Sequence, residues 1–246
     1  MKTLDTLQST SKKVLFLDIE TTGLNPGEHG IWQVGSCLSV QSDRLELLHL
    51  EERLFHPWQK EKVRRYVEGL LESVDLLVAH NVKFEQKFLR ACGIESFPDT
   101  YCTMLSTTEL CKIDRYVWDS WKGDYVRVGY KWPKLTEAID ILVGEKYGEL
   151  LNVLGNGKYH DALWDVLQVV RVYAVLKGLE VRYDGLKVRK VHRLRKWLYR
   201  RRYDVFYEPY DNWFDRRVNN IKLTLFYKWQ DLKWRIRQIL GIEPDS

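Results

Sequence analysis

The sequence predicts an α/β protein in which a mixed β-sheet is flanked by helices and followed by a C-terminal helical extension. Three observations lead there. Apolar runs of strand length fill the first 55 residues, segments with helical spacing follow, and the last 66 residues change composition sharply. With 246 residues, 45% of them hydrophobic, 15 Gly and 6 Pro, the chain can bury one substantial core, and its composition excludes a disordered protein.

Val14-Leu-Phe-Leu-Asp18 is an apolar run closed by a Gly/Asn/Pro cluster between Gly23 and Gly30, which predicts a buried strand. Ile31–Val40 and Leu45–Phe55, joined by the turn QSDR, predict two more strands in an antiparallel meander. Gln59–Val74 has helical spacing, with Val63, Tyr66, Val67, Leu70 and Leu71 on one face. Asp75-LLVA-His80 predicts a short buried strand. Asn81 then stands as an N-cap before a helix whose apolar face is Phe84, Phe88 and Leu89 and whose end is Gly93. Thr103–Cys111 and Leu135–Val143 read as helices, and the aromatic stretch Asp114–Trp132 between them as a loop. His160–Lys177 reads as a long helix with Leu163, Val166, Leu167, Val170, Tyr173 and Ala174 inward. Helices between strands supply the crossovers that parallel neighbours need.

Other classes are excluded by simple counts. No run of 18 apolar residues occurs, so no transmembrane helix is expected, and MKTLDTLQSTSKK lacks the apolar stretch of a secretory signal. The four cysteines, Cys37, Cys92, Cys102 and Cys111, form no CxxC pair, so neither a zinc knuckle nor a disulfide scaffold is expected. Free thiols predict a reduced, intracellular, cytoplasmic setting.

The chemistry is concentrated in FLDIETTGL, residues 16–24. Asp18 and Glu20 are two apart at a strand end and so project from the same face. Paired carboxylates repel unless a cation sits between them, and carboxylate oxygen suits Mg²⁺ or Mn²⁺. A solvated acidic strand end would carry the same pair, but the following TTG adds small residues that let backbone approach a ligand.

DIETTGL resembles the first motif of the DEDDh family of 3′–5′ exonucleases. LVAHNVKFEQKFL, residues 77–89, resembles the second motif, and YHDALWDV, residues 159–166, the third. Asp99-Thr100 and KWPKLTEAIDILVG, residues 131–144, are supporting matches, and the resemblance spans roughly residues 12–178. It implies a ribonuclease H-like sheet, an exonuclease domain over 1–178 and an extension over 179–246. One position departs from the pattern: the acid of the second motif is Glu85 where the family has Asp.

His160 stands five residues before Asp165, a rotation of about 140° on a helix, so the two cannot share a site from one continuous helix. His160 is therefore expected on the lead-in to that helix. His80, the rival base, sits at a strand end beside an N-cap, which argues for a structural or substrate-side role.

The resemblance further implies two Mg²⁺ or Mn²⁺ ions held by Asp18, Glu20, Glu85 and Asp165, with His160 as general base. Thr21, Thr22, Gly23 and Leu24 would meet the terminal nucleotide, and Asn81 and Phe84 would line the same pocket, although Phe84 fits core packing equally well. The implied reaction releases nucleoside 5′-monophosphates from the 3′ end of single-stranded DNA. An exoribonuclease, or a nucleic-acid-binding or polymerase-associated module whose site has decayed, would share the same motifs.

Charge divides the chain. Residues 1–180 carry 22 Lys and Arg against 26 Asp and Glu, whereas the last 66 carry 17 against 8 and hold 13 of the 32 aromatic residues. Within that end, Leu186–Arg202 and the stripe from Val218 to Leu240 have helical spacing. Such a basic, aromatic extension suits packing on the body, nucleic acid, or a protein partner or anionic surface.

Overall fold

The computed structural model describes residues 11–121, 123–155, 161–191 and Lys196. Three long strands, β1 (Lys12–Thr21), β2 (Ile31–Gln41) and β3 (Arg44–Leu54), form an antiparallel meander. Helix α1 (Lys60–Leu71) leads to β4 (Leu76–Ala79), which lies parallel to β1. Helix α2 (Val82–Ala91) leads to β5 (Asp99–Cys102), parallel to β4, and α3 (Thr103–Cys111) follows at once. A separate hairpin, β6 (Asp114–Asp119) and β7 (Asp124–Tyr130), precedes the short α4 (Leu135–Ala138), which runs into a π-helical turn over Ile139–Val143. A 3₁₀ turn spans Gly148–Val153, and the long α5 covers Ala162–Lys177. β8 (Glu180–Arg182) and β9 (Lys187–Arg189) then pair parallel to β3. The main sheet order is β5-β4-β1-β2-β3-β8, with β9 beside β8 on β3.

Strand β1 reads as a continuous apolar run because both its faces are covered. Val14 and Phe16 belong to the core under α5, together with Val166, Val170 and Tyr173. Leu15, Leu17 and Ile19 belong to the core under α1 and α2, together with Val67, Phe88 and Leu89. The alternation continues to the strand end, so Asp18 and Glu20 follow Phe16 onto the α5 face. All six inward positions expected of α5 are buried.

The expected α/β plan with a mixed sheet is present, but several local expectations are corrected. Asp114–Trp132 is not a loop for most of its length but the β6–β7 hairpin. Large residues lie on both of its faces, so the polar/apolar alternation that marks a strand is missing. Leu135–Val143 holds only one α turn before the π-helical turn. β5 was not expected because it is short and polar, and pairing with β4 rather than propensity creates it. Lys187–Arg189 is a strand where helical spacing begins at Leu186. Helix α5 spans Ala162–Lys177 with Asp161 at its N-cap, the Asp161 carboxylate accepting from the Leu163 amide at 3.3 Å. His160, the second amphipathic stripe and, apart from Lys196, everything after Val191 lie outside the described residues.

Candidate metal centre

Two distant parts of the sequence meet at the end of β1. Asp18 pairs in register with Gly35 of β2. A Cβ on Gly35 would lie 2.4 Å from the carbonyl of Ala162, so only a glycine lets the start of α5 settle on β2. That contact sets Asp165, in the first turn of α5, against the strand. Oxygens of Asp18, Glu20 and Asp165 then all lie within 4.8 Å of one another. Glu20 and Asp165 are buried and Asp18 is half-buried. Glu85 stands beside this triad in the first turn of α2, a helix that begins just past β4 and so just past the neighbouring strand end.

The cluster is electrostatically unfavourable on its own. The Asp18 carboxyl is pushed well above the usual range, first by burial and then by the charges of Asp165, Glu20, Glu85 and Asp161. Glu85 is raised to about 8, mainly by burial, with its own backbone amide acting against the shift and Glu20 adding to it. Its Oε2 is buried with no hydrogen-bond partner among the described residues. An all-oxygen set that repels itself and contains an orphaned carboxylate oxygen fits a hard divalent cation.

The other expected site residues fall around this centre. Thr21 donates to the Gly23 carbonyl at 2.7 Å, and Thr22 Oγ1 accepts from the Gly30 amide at 3.1 Å, so both hydroxyls shape the loop. Gly23 is pressed by the His29 ring, which would stand 2.3 Å from a Cβ there. The Leu24 side chain is 77% exposed, while its carbonyl accepts from Lys87 at 3.2 Å. Asn81 occupies the N-cap position of α2, but its side chain makes no capping bond. Phe84 is half-buried and packs on Phe88, with ring centroids 5.0 Å apart. His80 is structural: Nε2 donates to the Pro133 carbonyl and Nδ1 meets the Thr103 hydroxyl, both at 3.0 Å, and burial lowers its pKa.

A second polar group escaped the sequence. Gln33 Nε2 donates to buried Glu52 at 2.6 Å, and Lys196 Nζ lies 2.5 Å from Glu52 and 2.8 Å from Asp161. The Val191 amide also donates to Glu52, at 2.8 Å. The N-capping position of Asp161 was the one available signal, since nothing local in the sequence couples Glu52 to Lys196.

The fold is a mixed β-sheet flanked by helices, of the ribonuclease H-like kind, with a carboxylate centre at the end of its first strand. Residues 15–122 match the family model of the RNase_H superfamily. The match takes in Asp18, Glu20 and Glu85 and stops before α5. No curated protein matches the chain. Among solved structures, a product-bound exonuclease I shares 11% identity at a TM-score of 0.45, over 68% of this chain and 44% of that one. E. coli exonuclease I in complex with a dT13 oligonucleotide shares 14% at a TM-score of 0.46, over 78% of this chain and 44% of that one. A nuclease in its apo form shares 15% at 0.40, over 67% and 72%. The chain thus spans under half the length of the two exonuclease I chains. Among the described residues no helix is long and apolar enough to cross a membrane.

Proposed function

We propose that the protein is a divalent-metal-dependent nuclease that shortens single-stranded DNA from its 3′ end and releases nucleoside 5′-monophosphates. The observation that carries this is the convergence of Asp18, Glu20 and Asp165, drawn from both ends of the body, within 4.8 Å. The order of the three motifs supports the direction of attack. In this reading residues 1–178 carry the reaction and 179–246 form an extension that assists it, in a reduced intracellular setting that suits four free thiols.

Asp18, Glu20 and Asp165 would hold one Mg²⁺ or Mn²⁺, with Glu85 supporting a second beside Asp18. When bound, such ions activate the attacking water and offset charge on the phosphate and the leaving 3′-oxygen. The residues of the chain do the rest. His160 takes the proton from the water, a task suited to an imidazole at neutral pH. Thr21 and Thr22 hold the loop in shape, so contact with the terminal nucleotide falls to its backbone and to the exposed Leu24, which wedges against a base. Asn81 and Phe84 line the same side.

The test is a 5′-labelled single-stranded DNA and an RNA of the same sequence, incubated with Mg²⁺ or Mn²⁺ beside an Asp18→Ala control. A DNA ladder shortening from the 3′ end, abolished by EDTA and by the substitution, is expected. Preferential loss of the RNA would make it an exoribonuclease. Cleavage of neither would leave a binding module and sink the nuclease reading.

A further inference from the structure

The β6–β7 hairpin has no part in the acidic centre, yet among the described residues it carries a cluster of exposed large rings. Residues 112–134 contain six aromatic residues and six Lys or Arg against three Asp. The register places Tyr116 opposite Arg127 and Trp118 opposite Tyr125, and directly opposed residues share a face. One face therefore carries Tyr116, Trp118, Tyr125 and Arg127. The three rings are 54–63% exposed, and those of Trp118 and Tyr125 meet edge to face at 5.3 Å. The Arg127 guanidinium lies 4.8 Å over the ring of Tyr130 and is anchored by Asp114. At the tip, Trp121 is 98% exposed. Exposing that much ring surface is costly in water unless something flat covers it.

The hairpin is tied to the site level of the sheet. Lys131 N–H donates to Ile113 O at 2.8 Å and closes its base, and the Pro133 carbonyl just beyond accepts from His80. His80 follows β4, whose Val78 pairs with Phe16, two residues before Asp18. The same end of the sheet thus carries both the carboxylates and the foot of the hairpin.

We propose that the face formed by Tyr116, Trp118, Tyr125 and Arg127 is a stacking platform for the bases of single-stranded nucleic acid, upstream of the 3′ terminus. The occupant follows from chemistry: exposed rings offer π-faces to unpaired bases, and an excess of cations around them matches a phosphate backbone. The proposal rests on the nucleic-acid reading above, but it concerns binding and not hydrolysis.

The experiment uses the full chain. Trp118→Ala/Tyr125→Ala and Trp118→Phe/Tyr125→Phe are compared with the parent by fluorescence anisotropy on a labelled 20-nucleotide dT strand in EDTA, and by Mn²⁺-dependent turnover of a dinucleotide too short to reach the hairpin. The alanine pair is expected to weaken strand binding about 10- to 100-fold. The phenylalanine pair should restore most of it, with dinucleotide turnover unchanged in both. Unchanged strand affinity in the alanine pair, while the parent binds, overturns the platform. Loss of self-association in that variant with strand affinity intact overturns it too, by assigning the face to a protein contact. A parent that binds the strand through these rings but hydrolyses nothing keeps the platform and removes the nuclease reading. A parent that does neither removes both.

Discussion

Two acidic groups meet the start of α5 one helical turn apart, at its N-cap and in its first turn, and they are built in opposite ways. Asp161 joins Glu52, Gln33 and Lys196, and Asp165 joins Asp18 and Glu20. In the first group burial raises the Glu52 pKa, while the hydrogen bond and charge of Lys196 pull it back. In the second, burial raises Asp18, and the charges of Asp165, Glu20, Glu85 and Asp161 raise it further. The first holds a cation that the chain supplies from residue 196. The second is assembled in a state that repels itself, which makes sense if its cation arrives from solution. The difference teaches that a buried carboxylate is not by itself a functional signal. What distinguishes the two is whether the fold brings its own positive charge.

The largest effect should come from removing the central acid. Asp18→Asn is expected to cut hydrolysis by about 10³-fold, because it removes a ligand at the point where charge must be offset. The same substitution should raise the melting temperature of the metal-free protein by roughly 2–4 °C for each kcal/mol of repulsion it relieves. Inactivation together with stabilisation is the signature. A variant that melts lower in EDTA would place Asp18 with Glu52 as an ordinary structural acid.

Next in size, Lys196→Met should cost about 3 kcal/mol, since it strands a fully buried carboxylate and a largely buried one without their cation. Adding Glu52→Gln should recover much of the loss, and the double-mutant cycle by urea unfolding measures the coupling. Additive losses would mean that Lys196 does not neutralise this pair.

Which of these groups could be read from the sequence follows from range. DIETTGL shows its two carboxylates because strand alternation is local: residues 18 and 20 share a face whatever the rest of the chain does. Asp165 and Glu85 came from motif order, which stands in for contacts that spacing cannot reveal. Gly35 was invisible, since its importance lies in the Ala162 backbone that presses on it from 127 residues away in the chain. Gln33, Glu52 and Lys196 were missed for the same reason. The hairpin was taken for a loop because strand recognition relies on one face being buried, and both of its faces carry exposed large residues. His160, assigned from the third motif, falls outside the described residues and rests on that motif alone.

Glu85 sharpens the comparison at an intermediate scale. It is not one of the three clustered acids, but Glu20 acts on it and its Oε2 has no partner among the described residues. If it supports a bound ion, Glu85→Gln should lower activity about 10- to 100-fold. Glu85→Asp, which keeps the charge one methylene farther back, should stay within about tenfold of the parent. The check is kcat at saturating Mn²⁺ followed by titration of the metal. A Gln variant with parental activity and parental metal dependence would make Glu85 a bystander.

The smallest effect is thermal and needs no substrate. Asp18 and Glu85 have folded-state pKa values above those of the unfolded chain, so each contributes stability that is complete below the unfolded value and is lost as pH rises through the folded one. For Glu85 that window runs from 4.5 to about 8. In EDTA the melting temperature should therefore fall as pH rises across this window. Mn²⁺ binds the ionised carboxylates and must compete with protons below the window, so its stabilising effect should be larger at pH 8 than at pH 5. Differential scanning fluorimetry at the two pH values, with EDTA or Mn²⁺, gives the four numbers required. Lys196→Met should leave the difference between the two Mn²⁺ shifts in place and Asp18→Asn should shrink it, because only the second group is waiting for an ion. Equal Mn²⁺ shifts at both pH values in the parent would erase the distinction between the two acidic groups.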